Sequence, residues 1–252
     1  MTDVVADPVD EARRLLEAAH QAALPLRAVG GIAVALIAPT IRRLHPARSY
    51  RDIDLVAPAG TPAVTRLLSE LGYEAARRFN TLNGAERLLF HDAAGRHVDV
   101  FIDTLRMCHT LPFRTRLELQ AWTLPPADLV LSKLQIVELT ERDAQDVAAL
   151  FADFPLAESD ADGIGLGRIR QICGGDWGWW RTVDDNLRGL SERWQDELAV
   201  ADPGQGRILQ AAIERAAELR AALETCPKSL GWRIRGMMGP RFRWYDTPEE
   251  VR

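Results

Sequence analysis

Two aspartates one residue apart, Asp52 and Asp54, stand inside the apolar stretch DIDLV, and a third, Asp99, stands in VDVF. In an extended chain alternate side chains share a face. Asp52 and Asp54 therefore project together, with Ile53 and Leu55 on the reverse side. In HVDVFID the same rule puts Val98, Val100 and Ile102 on one face and Asp99, Phe101 and Asp103 on the other. If the two segments are neighbouring strands, three carboxylates meet. Carboxylates held together out of water repel one another and are costly unless cations neutralise them. Oxygen-only donors select Mg²⁺ or Mn²⁺, so the pattern predicts two such ions. Ions about 4 Å apart can clamp a triphosphate and activate a hydroxyl for in-line attack. Gly30 and Gly31, about twenty residues upstream, suit the same chemistry. Glycine lets backbone approach phosphate oxygens, and a helix that follows presents free N–H groups and a positive dipole end.

These side chains need a scaffold, and the periodicity supplies one. Ala12, Leu15, Leu16, Ala19 and Ala23 mark a helix over 9–23. Leu26 to Val29 reads as a short strand, Gly30-Gly31 as a turn, Ile32 to Ala38 as a brief helix stopped by Pro39, and Asp52 to Val56 as a second strand. A helix over 62–71, with Thr61 as its cap, precedes three strands over 73–79, 86–91 and 97–102, with Asn83-Gly84 and Ala93–Gly95 as hairpin turns. A further strand is expected over 117–123. Pro125-Pro126 opens a helix to about Leu139, and another runs over 142–151. The polar, glycine-bearing stretch 154–167 reads as a linker, followed by helices over 182–198 and 206–224.

With 252 residues, 47% hydrophobic, 27% charged and a net charge of −5, the composition is that of an ordinary globular protein. The balance argues against a protein wrapped all over by nucleic acid. No apolar run approaches the roughly 20 residues needed to span a bilayer. The acidic start, MTDVVADPVDEARR, has no signal-peptide core, so a cytoplasmic protein is expected. Cys108, Cys173 and Cys226 lack metal-site spacing and are expected to be buried thiols.

VGGIAVAL, RSYRDIDLV and VDVF, in that order, resemble the three signature pieces of the DNA polymerase β-type nucleotidyltransferase superfamily. The run ADLVLSKLQIVELTERDAQDVAAL resembles the tail of AbiEii-type toxin and antibiotic-type nucleotidyltransferases. The likeness covers about residues 24–152. It implies that Gly30 and Gly31 hold nucleotide phosphates and that Asp52 and Asp54 bind both metals. Asp99 would share one metal and help deprotonate the acceptor hydroxyl. Arg48 and Lys133 would reach the triphosphate, and Asp146, with Asp143, would complete the pocket. Tyr50 departs from the Ser or Thr that many relatives carry two residues before the first aspartate, and Arg142-Asp143 replaces the commoner Lys-Asp.

The expectation is therefore an α/β protein: a nucleotidyltransferase-fold mixed sheet flanked by helices over residues 1–155, and a mainly helical C-terminal region over 156–252. The implied reaction transfers a nucleoside monophosphate from an NTP such as ATP to an acceptor, releasing pyrophosphate. A tRNA or other RNA, a protein or a small molecule are the acceptor classes, and the toxin-like resemblance implies an antitoxin partner. The alternative is an inactive nucleotide-binding or regulatory module of the same fold. The tail from Cys226 to Tyr245 carries Lys228, Arg233, Arg235, Arg241 and Arg243 with no acidic residue, interleaved with Trp232, Phe242 and Trp244. It reads either as a single-stranded nucleic acid surface or as aromatics packed on the helical region. The stretches GIGLG (163–167) and GGDWGWW (174–180) read as a loop and a packed aromatic corner.

Overall fold

The computed structural model describes residues 4–60 and 62–247. Thr61, expected as a helix cap, lies outside the described residues. The elements in chain order are α1 (Pro8–Gln21), β1 (Arg27–Ala28), α2 (Gly30–Ile37), α3 (Ile41–Leu44), β2 (Ile53–Ala57), α4 (Pro62–Glu70), β3 (Glu74–Ala75), α5 (Arg77–Asn83), β4 (Arg87–His91) and β5 (His97–Ile102). There follow β6 (Thr104–Arg106), β7 (Thr110–Pro112), α6 (Pro126–Leu134), α7 (Glu141–Asp153), β8 (Leu156–Ala157), β9 (Ile164–Gly165), α8 (Leu166–Gly175), α9 (Trp177–Leu198), α10 (Pro203–Thr225), α11 (Leu230–Met238) and a 3₁₀ turn at Gly239–Arg241.

The chain divides into two compact units. The first takes residues up to Ile37, then Ala47–Leu105 and Leu111–Leu124; the second takes Ala38–Pro46, Arg106–Thr110 and everything from Pro125. Helices α6 and α7 fall in the second unit.

The first unit is a mixed five-stranded sheet in the order β1-β2-β5-β4-β3, flanked by helices. Strands β2 and β5 run parallel, and the other neighbours pair antiparallel. Its core is apolar strand residues with one face of α1: Ile53, Leu55, Val98, Val100, Ala12, Leu15 and Leu16 are buried. Two expected strands are corrected. The segment over 73–79 pairs only at Glu74 and Ala75 and then turns into α5, so no Asn-Gly hairpin joins β3 to β4. The Asn80 side chain stabilises this turn by accepting from Leu89 N–H and donating to Leu89 C=O, replacing strand pairing with side-chain pairing. Over 117–123 the chain is irregular and meets β1 through a bridge of Ala28 with Thr123 and a hydrogen bond from Arg27 Nε to the Gln120 carbonyl.

The second unit is mainly helical. Helix α10 packs on α9, α7 and α8, and α3 packs on α7. Phe151 meets Trp194 edge to face at 6.3 Å. The stretch expected as a linker contributes the paired β8 and β9 and the start of α8. Within GIGLG, Ile164-Gly165 is strand and Leu166 begins a helix. GGDWGWW is the packed aromatic corner expected, with Trp177 and Trp179 buried, and it also caps α9, Asp176 accepting from Trp179 N–H. Two of the tail aromatics pack on the helical region, Trp232 meeting Trp180 at 5.3 Å and Trp244 meeting Trp177 at 5.8 Å, whereas Phe242 is exposed. All three cysteines are free and buried. No helix among the described residues is long and apolar enough to cross a membrane.

Candidate functional site

The acidic face of the first unit is built by strand register. Asp54 and Asp99 are direct partners across the parallel β2–β5 pair, as are Ile53 with Val98 and Leu55 with Val100. Parallel partners project to the same side of a sheet, so Asp54 and Asp99 share a face. Asp52, one residue before β2, is in phase with Asp54 and is exposed; Asp99 is 6% exposed. Asp103 does not join them. It leaves β5 with φ of +57°, accepts from Ala59 N–H at 3.2 Å and lies 3.6 Å from Arg114.

Gly30 closes on this face from the neighbouring turn. Val29 N–H donates to the Asp54 carbonyl at 3.0 Å, which fixes the register of β1 and the start of α2 against β2. A Cβ at Gly30 would stand 2.5 Å from Asp54 Oδ2, and the backbone there has φ of +71°. Only glycine fits. Gly30 and Gly31 are the first residues of α2, so that helix begins beside the Asp54 carboxylate. Arg48 sits with its guanidinium 5.2 Å from the centre of the Tyr50 ring.

The positive charge that the sequence lacked near these carboxylates is partly internal. Arg87 on β4 donates from Nε to Asp99 Oδ1 at 2.7 Å. Its guanidinium also lies 5.3 Å from the Phe101 ring and 5.8 Å from that of Phe79. Among the described residues no three His, Cys, Asp or Glu side chains are grouped to hold a metal ion. The all-oxygen donors Asp52 and Asp54, beside a backbone left open by Gly30, do suit a divalent cation that takes its remaining ligands from phosphate and water. Asp99 is paired with Arg87.

Lys133, Asp143 and Asp146 belong to the second unit, where they form a cluster of their own. Lys133 Nζ lies 2.8 Å from Asp143 Oδ1 and 2.9 Å from Asp146 Oδ2, and Asp146 is fully buried. Asp143 also closes a capping box with Thr140 at the start of α7. Burial pulls the Lys133 ammonium down, but Asp146 and Asp143 outweigh it and hold its pKa above the ordinary value. Burial likewise pushes Asp143 up, and the Lys133 charge and hydrogen bonds overcome this and hold it below its usual range. The residues placed in the first unit are thus Gly30, Gly31, Arg48, Asp52, Asp54 and Asp99.

Sequence reasoning missed Arg87. It stands two residues from the strand partner of Asp99, at the diagonal position a long side chain reaches. An arginine opening a strand-like run beside an acidic one is a signal only once the two strands are known to pair.

The molecule so described is an α/β protein whose mixed sheet carries an acidic pair beside a glycine-opened helix. No family model matches the chain, and no curated protein matches it. A solved structure, "Crystal structure of putative nucleotidyltransferase from H. pylori", is similar at a TM-score of 0.38 and 11% identity, covering 89% of this chain and 100% of that one. That likeness is too loose to define a family.

Proposed function

We propose that the first unit binds a nucleoside triphosphate at the Asp52–Asp54 face and transfers its nucleoside monophosphate to an acceptor, releasing pyrophosphate. The observation that carries this reading is the register of Asp54 with Asp99, beside a Gly30 that leaves no room for a side chain against Asp54. Asp52 and Asp54 would hold Mg²⁺ or Mn²⁺, which when bound supplies charge to the phosphates and polarises the reacting phosphorus. Gly30 and Gly31 bring backbone N–H groups at the start of α2 to the phosphates. Arg48 would add a guanidinium, and Asp99, held by Arg87 through Oδ1, could take the acceptor proton on its other carboxylate oxygen. Lys133 is paired with Asp143 and Asp146 within the second unit, so the proposal rests on the first-unit residues. The acceptor is an RNA end, a protein or a small molecule, and an antitoxin-like partner belongs to the same reading.

The Arg87–Asp99 ion pair favours a second reading, a nucleotide-binding module without turnover, because it engages the carboxylate that would serve as base. Incubation with labelled NTPs and Mg²⁺ separates the two. Label transfer lost in Asp52→Asn supports the enzyme. Nucleotide binding without transfer supports the module. A folded protein that binds no nucleotide at millimolar concentration overturns both.

A further inference from the structure

The two-cation expectation and the Arg87 contact compete for the same carboxylate. Asp99 is 6% exposed, so its charge needs a partner at all times. Arg87 provides one at 2.7 Å, with its own side chain 28% exposed. Two features hold the guanidinium in place. Its strand partner is Phe101, and the rings of Phe101 and Phe79 both lie within cation–π range of it. Alternation along β4 and β5 keeps Arg87 on the same sheet face as Asp99 and Asp54. Only Nε is used by Asp99, and a guanidinium offers further donors in a planar fork suited to phosphate oxygens.

We infer that Arg87 stands permanently in place of one of the two ions. The site then takes one dication at Asp52 and Asp54, with the guanidinium serving as the second positive charge toward a polyphosphate. Arg87 is therefore a positioning residue for Asp99 and a candidate phosphate ligand. This rests on the nucleotide-site reading above but makes a separate demand, on the number of ions bound.

The test counts Mn²⁺ bound to the full-length protein by electron paramagnetic resonance, for the wild type and for Arg87→Gln, Arg87→Lys and Asp52→Asn. One Mn²⁺ per chain is expected in the wild type and in Arg87→Lys, which keeps the charge. Arg87→Gln should take up a second ion, or bind the first at least about tenfold more tightly, because Asp99 is left without its counter-charge. In Arg87→Gln, Mn²⁺ should also raise the melting temperature more than it does in the wild type, since binding to the folded state alone stabilises it. Two ions in the wild type overturn the inference and leave the nucleotide site standing. Equal binding by wild type and Arg87→Gln also overturns it. Absence of Mn²⁺ binding in every protein, or binding that Asp52→Asn leaves intact, overturns both. Should Arg87→Gln not fold, the wild-type count and the Arg87→Lys count decide alone.

Discussion

Lys133 and Asp146 bind each other across the junction of two helices: Nζ at the last turn of α6 lies 2.9 Å from an Asp146 carboxylate that is fully buried on α7. One ammonium serves two acids there, since Asp143 is engaged by the same nitrogen at 2.8 Å. Removing one side of a buried ion pair leaves an uncompensated charge in a low-dielectric setting. Lys133→Met is expected to cost roughly 3–5 kcal/mol in urea unfolding. A loss below about 1 kcal/mol would mean that water already solvates the carboxylates.

The stability of the protein should fall as the solution is acidified from pH 7 toward 5. Burial pushes the His109 imidazole below its ordinary value of 6.5, only partly offset by Asp176 and Asp246. Thr182 Oγ1 accepts from Trp244 Nε1 at 3.1 Å, which leaves its own proton for His109 Nε2, 2.9 Å away. Only a neutral ring accepts that proton. The unfolded chain therefore binds a proton more readily than the folded one. The contribution is complete above about pH 6.5 and is lost as pH falls through the folded-state value, with a slope of at most about 1.4 kcal/mol per pH unit. Asp143 contributes with the same sign, but only below about its ordinary 3.8. Denaturation midpoints measured across this window should flatten in His109→Gln.

Two glycines with positive φ offer an internal comparison. Gly30 and Gly60 have φ of +71° and +74°, but a Cβ at Gly60 meets nothing within 4 Å, whereas at Gly30 it meets Asp54 Oδ2. Gly60→Ala should show backbone strain alone, about 1 kcal/mol. Gly30→Ala should lose about 2 kcal/mol or more by thermal or chemical unfolding, and nucleotide binding with it. Equal losses would mean that the Asp54 side chain swings away freely.

Legibility followed burial. Strands β2 and β5 could be read because apolar residues alternate with acids along them, and their register then placed Asp54 opposite Asp99. Helices α5 and α11 escaped notice for the opposite reason: neither has a buried residue, so neither carries an apolar stripe for periodicity to register. At α8 the buried set includes Arg168, whose partner Asp128 lies 2.8 Å away but forty residues earlier in the chain. A charged residue at a core position breaks the pattern unless its distant partner is known. The tie between Arg87 and Asp99 is of the same kind. It depends on which strands pair, and composition along a single segment does not contain that.

The route of the chain bears on how the protein is made. Residues 38–46 belong to the second unit, whose other parts are 106–110 and everything after Leu124. Helix α3, with Ile41 buried and Thr40 hydrogen-bonded to Asp153, packs on α7. On the ribosome α3 therefore emerges about a hundred residues ahead of its partner, while the sheet unit is complete in sequence once Leu124 is out. Throughout that interval Ile41 waits without the helix that buries it, so the pace of translation between the two bears on how the native contact is reached.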